Sequence, residues 1–264
     1  VDVFFWAHPD GGSVQLIVDD VRKALIPTGA KEPAPGYFAL KLDDGPHSVE
    51  LRPAGDGPVT LFGLALERDT PGVVVDALGI NGARAAAQLR WNEKIHASNL
   101  ARRRPDLVVL AYGTNALTDD EEPLEVYEAN LTQVVKRIRD ATPQASCLFV
   151  GPSDWPEKVT ELVRIKRRKS KGRRRRQRYV RRLRGFRPHL RQAPLIAVQK
   201  RVAHKHGCGY WDWQAAMGGE LSMLHWYRAV PPMARKDLVH LTFRGYQRIG
   251  QLLWDALMAG FGDL

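Results

Sequence analysis

Two residues near the C-terminus have the types and spacing of a proton-transfer pair. Asp237 and His240 sit three apart in Lys236-Asp237-Leu238-Val239-His240-Leu241-Thr242. An amphipathic run follows, in which Tyr246, Ile249, Leu252, Leu253, Ala256 and Leu257 recur at helical spacing. A carboxylate this close to an imidazole can accept its Nδ1–H, which fixes the tautomer and leaves Nε2 free to take a proton from a hydroxyl. The same spacing also suits a plain polar helix start. Two further positions could supply hydrogen bonds to a developing negative charge. Asn115 closes Tyr112-Gly113-Thr114-Asn115 after a hydrophobic run, and its carboxamide can donate to an oxyanion without carrying charge. It would serve equally as a helix N-cap. Gly82 lies between a short apolar run and an Ala-rich stretch, where a glycine permits close approach and leaves its N–H as an outward donor. A turn glycine needed only for its geometry fits the same position.

A nucleophile to go with these groups is harder to find. Ser13, in Gly11-Gly12-Ser13-Val14, is followed by the alternating run Val14-Gln15-Leu16-Ile17-Val18 and reads as part of a hairpin. Ser153, in Gly151-Pro152-Ser153, reads as a loop residue at a strand end.

The elements that must position these residues fall into two textures. Residues 1–70 alternate with period two at Val1/Val3/Phe5, Val14/Leu16/Val18, Phe38/Leu40/Leu42, Val49/Leu51 and Val59/Leu61. Turn chemistry at Pro9-Asp10-Gly11-Gly12, Asp43-Asp44-Gly45 and Pro53–Gly57 separates them, which predicts a small antiparallel β-sandwich. From 71 to 264 strands alternate with helices. Strands are expected at Val73–Val75, Leu107–Tyr112, Cys147–Val150 and Cys208–Asp212. Helices are expected at about 83–102, 123–141, 195–205 and 244–260. That order predicts an α/β domain with a doubly wound parallel sheet. Function in such sheets gathers at the carboxyl ends of strands, where Gly82, Asn115, Ser153 and the Asp237–His240 loop all fall.

Composition bounds the rest. The chain has 264 residues, 44% hydrophobic and 26% charged, which is globular, and no apolar run is long enough to span a membrane. Cys147 and Cys208 allow one bridge or two buried thiols, and the eight His are scattered without a metal-ligand spacing. The net charge of +11 is local: 16 of the 40 Lys and Arg lie from Arg164 to Arg191 with no acid among them, leaving 24 against 29 acidic residues elsewhere. This insertion is expected to be a solvated loop or helix. It could contact a polyanion, overhang the site and favour acidic substrates, or be a variable surface insertion. Nucleic acid is a weaker partner, since no nucleic-acid motif accompanies the arginines.

The Gly-x-Asn-Gly-Ala turn around Gly82, a strand ending in Gly-Thr-Asn at Asn115, and Asp-x-x-His before the last helix together resemble the SGNH (GDSL) hydrolases over about Pro71–Gly260. Ala215-Met217-Gly218-Gly219 and Trp226 resemble the subgroup related to bacterial peptidoglycan O-acetylesterases, in which a carbohydrate-binding-like β-sandwich is inserted after the first block. The resemblance implies a three-layer α/β fold, with residues 1–70 as the inserted module and 71–264 as the hydrolase-like domain. It implies His240 as general base, Asp237 as its orienting carboxylate, and Gly82 and Asn115 as oxyanion donors. It further implies serine-type hydrolysis of an acetylated glycan or peptidoglycan, no metal or organic cofactor, and an extracytoplasmic location. The family's Gly-Asp-Ser block and the strand before it are absent, so the nucleophile is expected upstream of Val1 and this chain is expected to be a fragment. The competing reading is a non-catalytic glycan- or polyanion-binding protein on a degenerate hydrolase scaffold.

Overall fold

The structure, a computed structural model, describes residues 1–165 and 179–259. They form two compact units. The first comprises Val1–Asn81, Arg90–Pro105 and Arg137–Pro143, and the second Gly82–Leu89, Asp106–Lys136 and Gln144–Leu264.

In the first unit the period-two runs become β1 (Asp2–Ala7), β2 (Ser13–Val18), β3 (Val21–Pro27), β4 (Ala34–Ala39), β5 (Val49–Pro53) and β6 (Thr60–Ala65). They pair antiparallel in two three-stranded sheets, ordered β4-β1-β6 and β3-β2-β5. The alternation turns Val3 and Phe5 of one sheet and Val14, Leu16, Val18 and Ile26 of the other into a common core. Gly36 is required at its position: a Cβ there would lie 2.1 Å from the Phe5 ring. β3 had no clear alternation to announce it. It is set by the Asp19-Asp20 turn, both residues at positive φ (51° and 62°), which matches the right-handed twist of a tight hairpin. Helix α1 (Glu93–Arg103) starts where Asn92 Oδ1 accepts the Ile95 N–H at 3.1 Å. It is tied to β1 and β4 through Arg102, which pairs bidentately with Asp2 at 2.8 Å and stacks over Tyr37.

Two expectations fail here. Val73–Val75 is not a buried strand: the three side chains are 84%, 61% and 84% exposed and the backbone is outside any sheet. A parallel strand needs a neighbour to receive its hydrogen bonds, and none pairs with this segment. The helix expected over 83–102 is broken into a short 3₁₀ turn, Ala85–Arg90, and α1.

The second unit is the α/β part. β7 (Leu107–Ala111), α2 (Leu124–Ala141) and β8 (Ser146–Val150) follow in order. α2 buries Leu131, Val134, Val135 and Ile138 of the face that its periodicity predicts, but Val126, expected on that face, is 45% exposed and Tyr127 is buried in its stead. Next come β9 (Pro156–Ile165) and β10 (Tyr179–Pro188), then α3 (Gln192–Lys205), β11 (Gly209–Trp211), α4 (Trp213–Met217), α5 (Ser222–Arg228) and α6 (Phe243–Ala259). β11, β8 and β7 form a parallel sheet in that order. The sheet therefore has three strands. β7 is its edge, with Leu107 and Val109 about half exposed.

The basic insertion is also corrected. Its flanks are an antiparallel hairpin running from Pro156↔Pro188 to Ile165↔Tyr179, rather than a loop or helix, and residues 166–178 lie outside the described part. Val159 and Leu162, and Val180 and Leu183, are each three residues apart, so no period-two alternation announced the strands among the cations. Cys147 and Cys208 are joined in a disulfide. The pairing of β8 with β11 brings their neighbours Leu148 and Gly209 opposite each other, so the two cysteines enter the sheet side by side.

Candidate active site

The Asp237–His240 pair lies on a short closed loop in front of α6. Its ends are pinned by the Ala234–Leu241 bridge and by the Thr242 N–H donating to Met233 O at 2.9 Å. Thr242 Oγ1 donates to Pro232 O and accepts from the Gly245 N–H, capping the helix. Gly245 must be a glycine, because a Cβ would meet Met233 O at 2.0 Å. Within the loop the Arg235 N–H donates to His240 O at 2.8 Å. Leu238 turns into the left-handed region (φ 60°) and buries its side chain among Met223, Trp226 and Leu241. That anchor leaves Asp237 and His240 on the outer side, with side chains 48% and 64% exposed.

Asp237 is held by three donors. Its Oδ1 accepts the N–H groups of Val239 (3.0 Å) and His240 (2.9 Å), and its Oδ2 faces His240 Nδ1 at 3.1 Å. Partial burial pushes against its charge, but the two backbone N–H groups and the imidazole outweigh it and hold the carboxyl below its ordinary range. A carboxylate on Nδ1 selects the tautomer that carries its proton there, so Nε2 presents a lone pair to the exterior. No hydroxyl among the described residues is hydrogen-bonded to that nitrogen.

Asn115 stands in the 3₁₀ turn Thr114–Thr118 that follows β7, launched by Gly113 at φ 125°. Its Nδ2 donates to Ala83 O at 3.2 Å. Gly82, the residue before Ala83, is at φ 74° with open space where a Cβ would be. The two expected oxyanion donors are therefore neighbours. Two arginines fix this turn. Arg84 donates from Nε to Asn115 O at 3.4 Å and pairs with Asp119, and Arg191 donates from Nε to Ala116 O at 3.1 Å. Arg191 in turn follows closely on His189, which lines a cavity with Asp237. The segment 189–191 thus borders both the Asn115 turn and the Asp237 loop.

The two candidate serines do not join this group. Ser13 begins β2 in the first unit, with its N–H on Asp56 Oδ1 at 2.7 Å, in a strand-to-strand setting that gives no exposed turn before a helix. Ser153 is buried, and its carbonyl accepts from Gln192 Nε2 at 2.9 Å. The residue after it was overlooked in the sequence. Asp154 is fully buried and accepts from Gln214 Nε2, Leu221 N–H and Met223 N–H, which fastens the end of β8 to the start of α5. An acid directly after a buried strand end, in Pro-Ser-Asp-Trp, was the available signal. Arg191 had none, being one cation in a run of sixteen.

Comparison with known proteins bears directly on this arrangement. The family model described as GDSL-like Lipase/Acylhydrolase matches residues 46–248. The chain belongs to that family. GDSL acylhydrolases are ester-hydrolysing enzymes, and the pair on the loop before α6 is of the kind such chemistry uses. Among solved structures, a peptidoglycan O-acetylesterase matches with 23% identity and a TM-score of 0.67, over 100% of this chain and 65% of its own. This chain thus spans about two-thirds of that enzyme's length, and the likeness supports the fold. A carbohydrate esterase of family 3 from Talaromyces cellulolyticus matches more loosely, with 16% identity and a TM-score of 0.43 over 69% of this chain and 70% of its own. No curated protein matches. Among the described residues no helix is long and apolar enough to cross a membrane.

Proposed function

We propose that this GDSL-family chain serves a serine-type O-acetylesterase acting on acetylated peptidoglycan or a related glycan. The observation that carries the reading is the Asp237 carboxylate on His240 Nδ1, which leaves Nε2 as an oriented base. In the reaction a serine hydroxyl loses its proton to His240 Nε2 and attacks the acetyl carbonyl. Gly82 N–H and the second N–H of Asn115 Nδ2 donate to the oxyanion, the sugar oxygen leaves with the proton from His240, and water then releases acetate.

The serine is the part this chain does not supply in our reading. We assign it to a Gly-Asp-Ser turn outside these 264 residues, at the end of a strand that pairs with β7. The half-exposed Leu107 and Val109 on that edge strand support the assignment, as do the exposed Phe243, Tyr246 and Trp254 on α6. Residues 1–70, with their two antiparallel sheets over one core, are read as an inserted carbohydrate-binding-like sandwich. The Cys147–Cys208 disulfide supports an extracytoplasmic location, where such bridges persist.

The coding sequence upstream of Val1 tests the assignment. A strand pattern followed by Gly-Asp-Ser is expected, and a start codon at Val1 would sink it in favour of a non-catalytic binder. Residues 1–264 alone should melt broadly and should not turn over p-nitrophenyl acetate. Turnover abolished by His240→Ala would mean that the nucleophile is in this chain. The basic run favours a second activity, contact with an anionic polymer. Binding that falls steeply with salt and disappears when the Lys and Arg of 164–191 are neutralised would establish it.

A further inference from the structure

The hairpin register creates a cavity beside the candidate base. β9 and β10 pair down to Glu157↔Arg187 and Pro156↔Pro188, so the next residues out, Trp155 and His189, face each other at the hairpin root. Their rings lie 6.1 Å apart at 47°. Together with Glu157, Lys158, Asp237 and Leu238 they line a cavity of about 280 Å³. Small-molecule sites run from about 300 Å³ upward, so this one suits a single ring rather than a long chain.

The walls are held in place from several sides. The Trp155 N–H donates to Gln192 Oε1 at 3.2 Å, and Gln192 Nε2 donates to Ser153 O at 2.9 Å. Asp154, just before Trp155, is locked by its three hydrogen bonds. His189 Nδ1 accepts the Arg191 N–H at 3.3 Å, so the neutral ring carries its proton on Nε2 as a donor. Of the two lining carboxylates, Glu157 is engaged by Arg187 at 2.9 Å and Asp237 faces His240 Nδ1. Lys158 adds an exposed ammonium there. A half-buried indole, a fixed imidazole donor and an ammonium together suit a ring with one apolar face and hydroxyl or carboxylate groups at its edge.

We infer that this cavity is a sugar subsite: it takes one pyranose ring of the glycan, stacked on Trp155 and hydrogen-bonded by His189 Nε2–H and Lys158. A ring bound there lies against the wall that carries Asp237, three residues before His240, so Trp155 and His189 set which sugar presents its ester to the base. The inference rests on the glycan-esterase reading above, and it concerns binding, which this chain can show without turnover.

The test is an NMR titration of residues 1–264 with a de-O-acetylated N-acetylglucosamine–N-acetylmuramic acid tetrasaccharide, following the seven Trp indole N–H signals. The Trp155 signal is assigned by its loss in Trp155→Phe. The expected result is a saturable shift of that signal in the unaltered chain, with Kd, read by titration calorimetry in every variant, raised at least tenfold in Trp155→Ala and in His189→Ala. Trp155→Phe, which keeps an aromatic face, should raise Kd less than Trp155→Ala, and circular dichroism confirms that each variant is folded. Binding that shifts other indoles, such as Trp6, while Trp155→Ala stays within twofold of the unaltered chain overturns the subsite and leaves the esterase reading standing. No binding at millimolar tetrasaccharide overturns the subsite and the glycan reading together.

Discussion

Asp237→Asn is the substitution that most sharply separates a working base from a polar helix start. Asn is nearly isosteric, and its Oδ1 can still accept the N–H groups of Val239 and His240, now at 3.0 and 2.9 Å. The loop should therefore keep its shape, with a stability loss of at most about 1 kcal/mol, since only one of three hydrogen bonds is removed. What changes is the group facing His240 Nδ1 at 3.1 Å: an acceptor oxygen becomes an N–H₂ donor. The ring must then carry its proton on Nε2, and the nitrogen needed as base is blocked. The corresponding change in a well-studied triad costs about 10⁴ in rate, or about 5.5 kcal/mol of barrier. The assay on this chain is long-range ¹H–¹⁵N spectroscopy of the histidine rings above pH 8, with His240 assigned through His240→Gln. The pyrrole-type nitrogen should move from Nδ1 to Nε2 in Asp237→Asn. In an assay of ester hydrolysis the rate should fall by about 10⁴. An unchanged tautomer, or activity within tenfold of the parent, would refute the role given to Asp237. The pH dependence has a definite sign. Because the folded carboxyl titrates below its ordinary value of about 3.9, its contribution is complete above that value and is lost as pH falls through the lower one. The stability difference between the unaltered chain and Asp237→Ala should therefore shrink only in strong acid.

Three other outcomes are expected. His47, in the first unit, bonds Asp19 Oδ2 at 2.7 Å and Asp43 O at 2.8 Å, chiefly the former raising its pKa above the ordinary 6.5. Its stabilising effect is complete below about pH 6.5 and fades as pH rises through the raised value, so an NMR titration of His47 should shift back toward 6.5 in Asp19→Asn. Replacing both Cys147 and Cys208 by Ser opens a link spanning 61 residues. Chain-entropy arguments put its effect at up to about 4 kcal/mol, read as a lower urea midpoint for the parallel sheet, and an unchanged midpoint would contradict the bridge. Gly245→Ala forces the loop at Met233 away from α6 and should cost about 1–3 kcal/mol while weakening the His240–Asp237 contact, seen in the same ring-nitrogen spectrum.

The sequence by itself determined much of this protein. Period-two alternation placed most of the strands of the first unit, and helical periodicity placed α2 and α6, because the apolar face of an element is written directly into residue order, although in α6 only Ile249 of that face is buried. The spacing of Asp237 and His240 fixed a local contact that needs only a three-residue turn. Gly82 and Gly113 marked turns by residue type alone, and both take positive φ in the structure. What the sequence misjudged depended on partners far away in the chain. Val73–Val75 has every local mark of a buried strand, yet a parallel strand exists only where a neighbour accepts its ladder, and none pairs with it. The cation run 164–191 hid a hairpin because charge repulsion is read locally while strand pairing is not. Likewise, only the tertiary structure closed Cys147 onto Cys208, set Arg191 against the Asn115 turn, and put Trp155 and His189 across from each other beside Asp237. The residues able to do chemistry were legible because their types are rare and their spacing short. The cavity beside them was decided by the register of a hairpin, which only long-range packing can set.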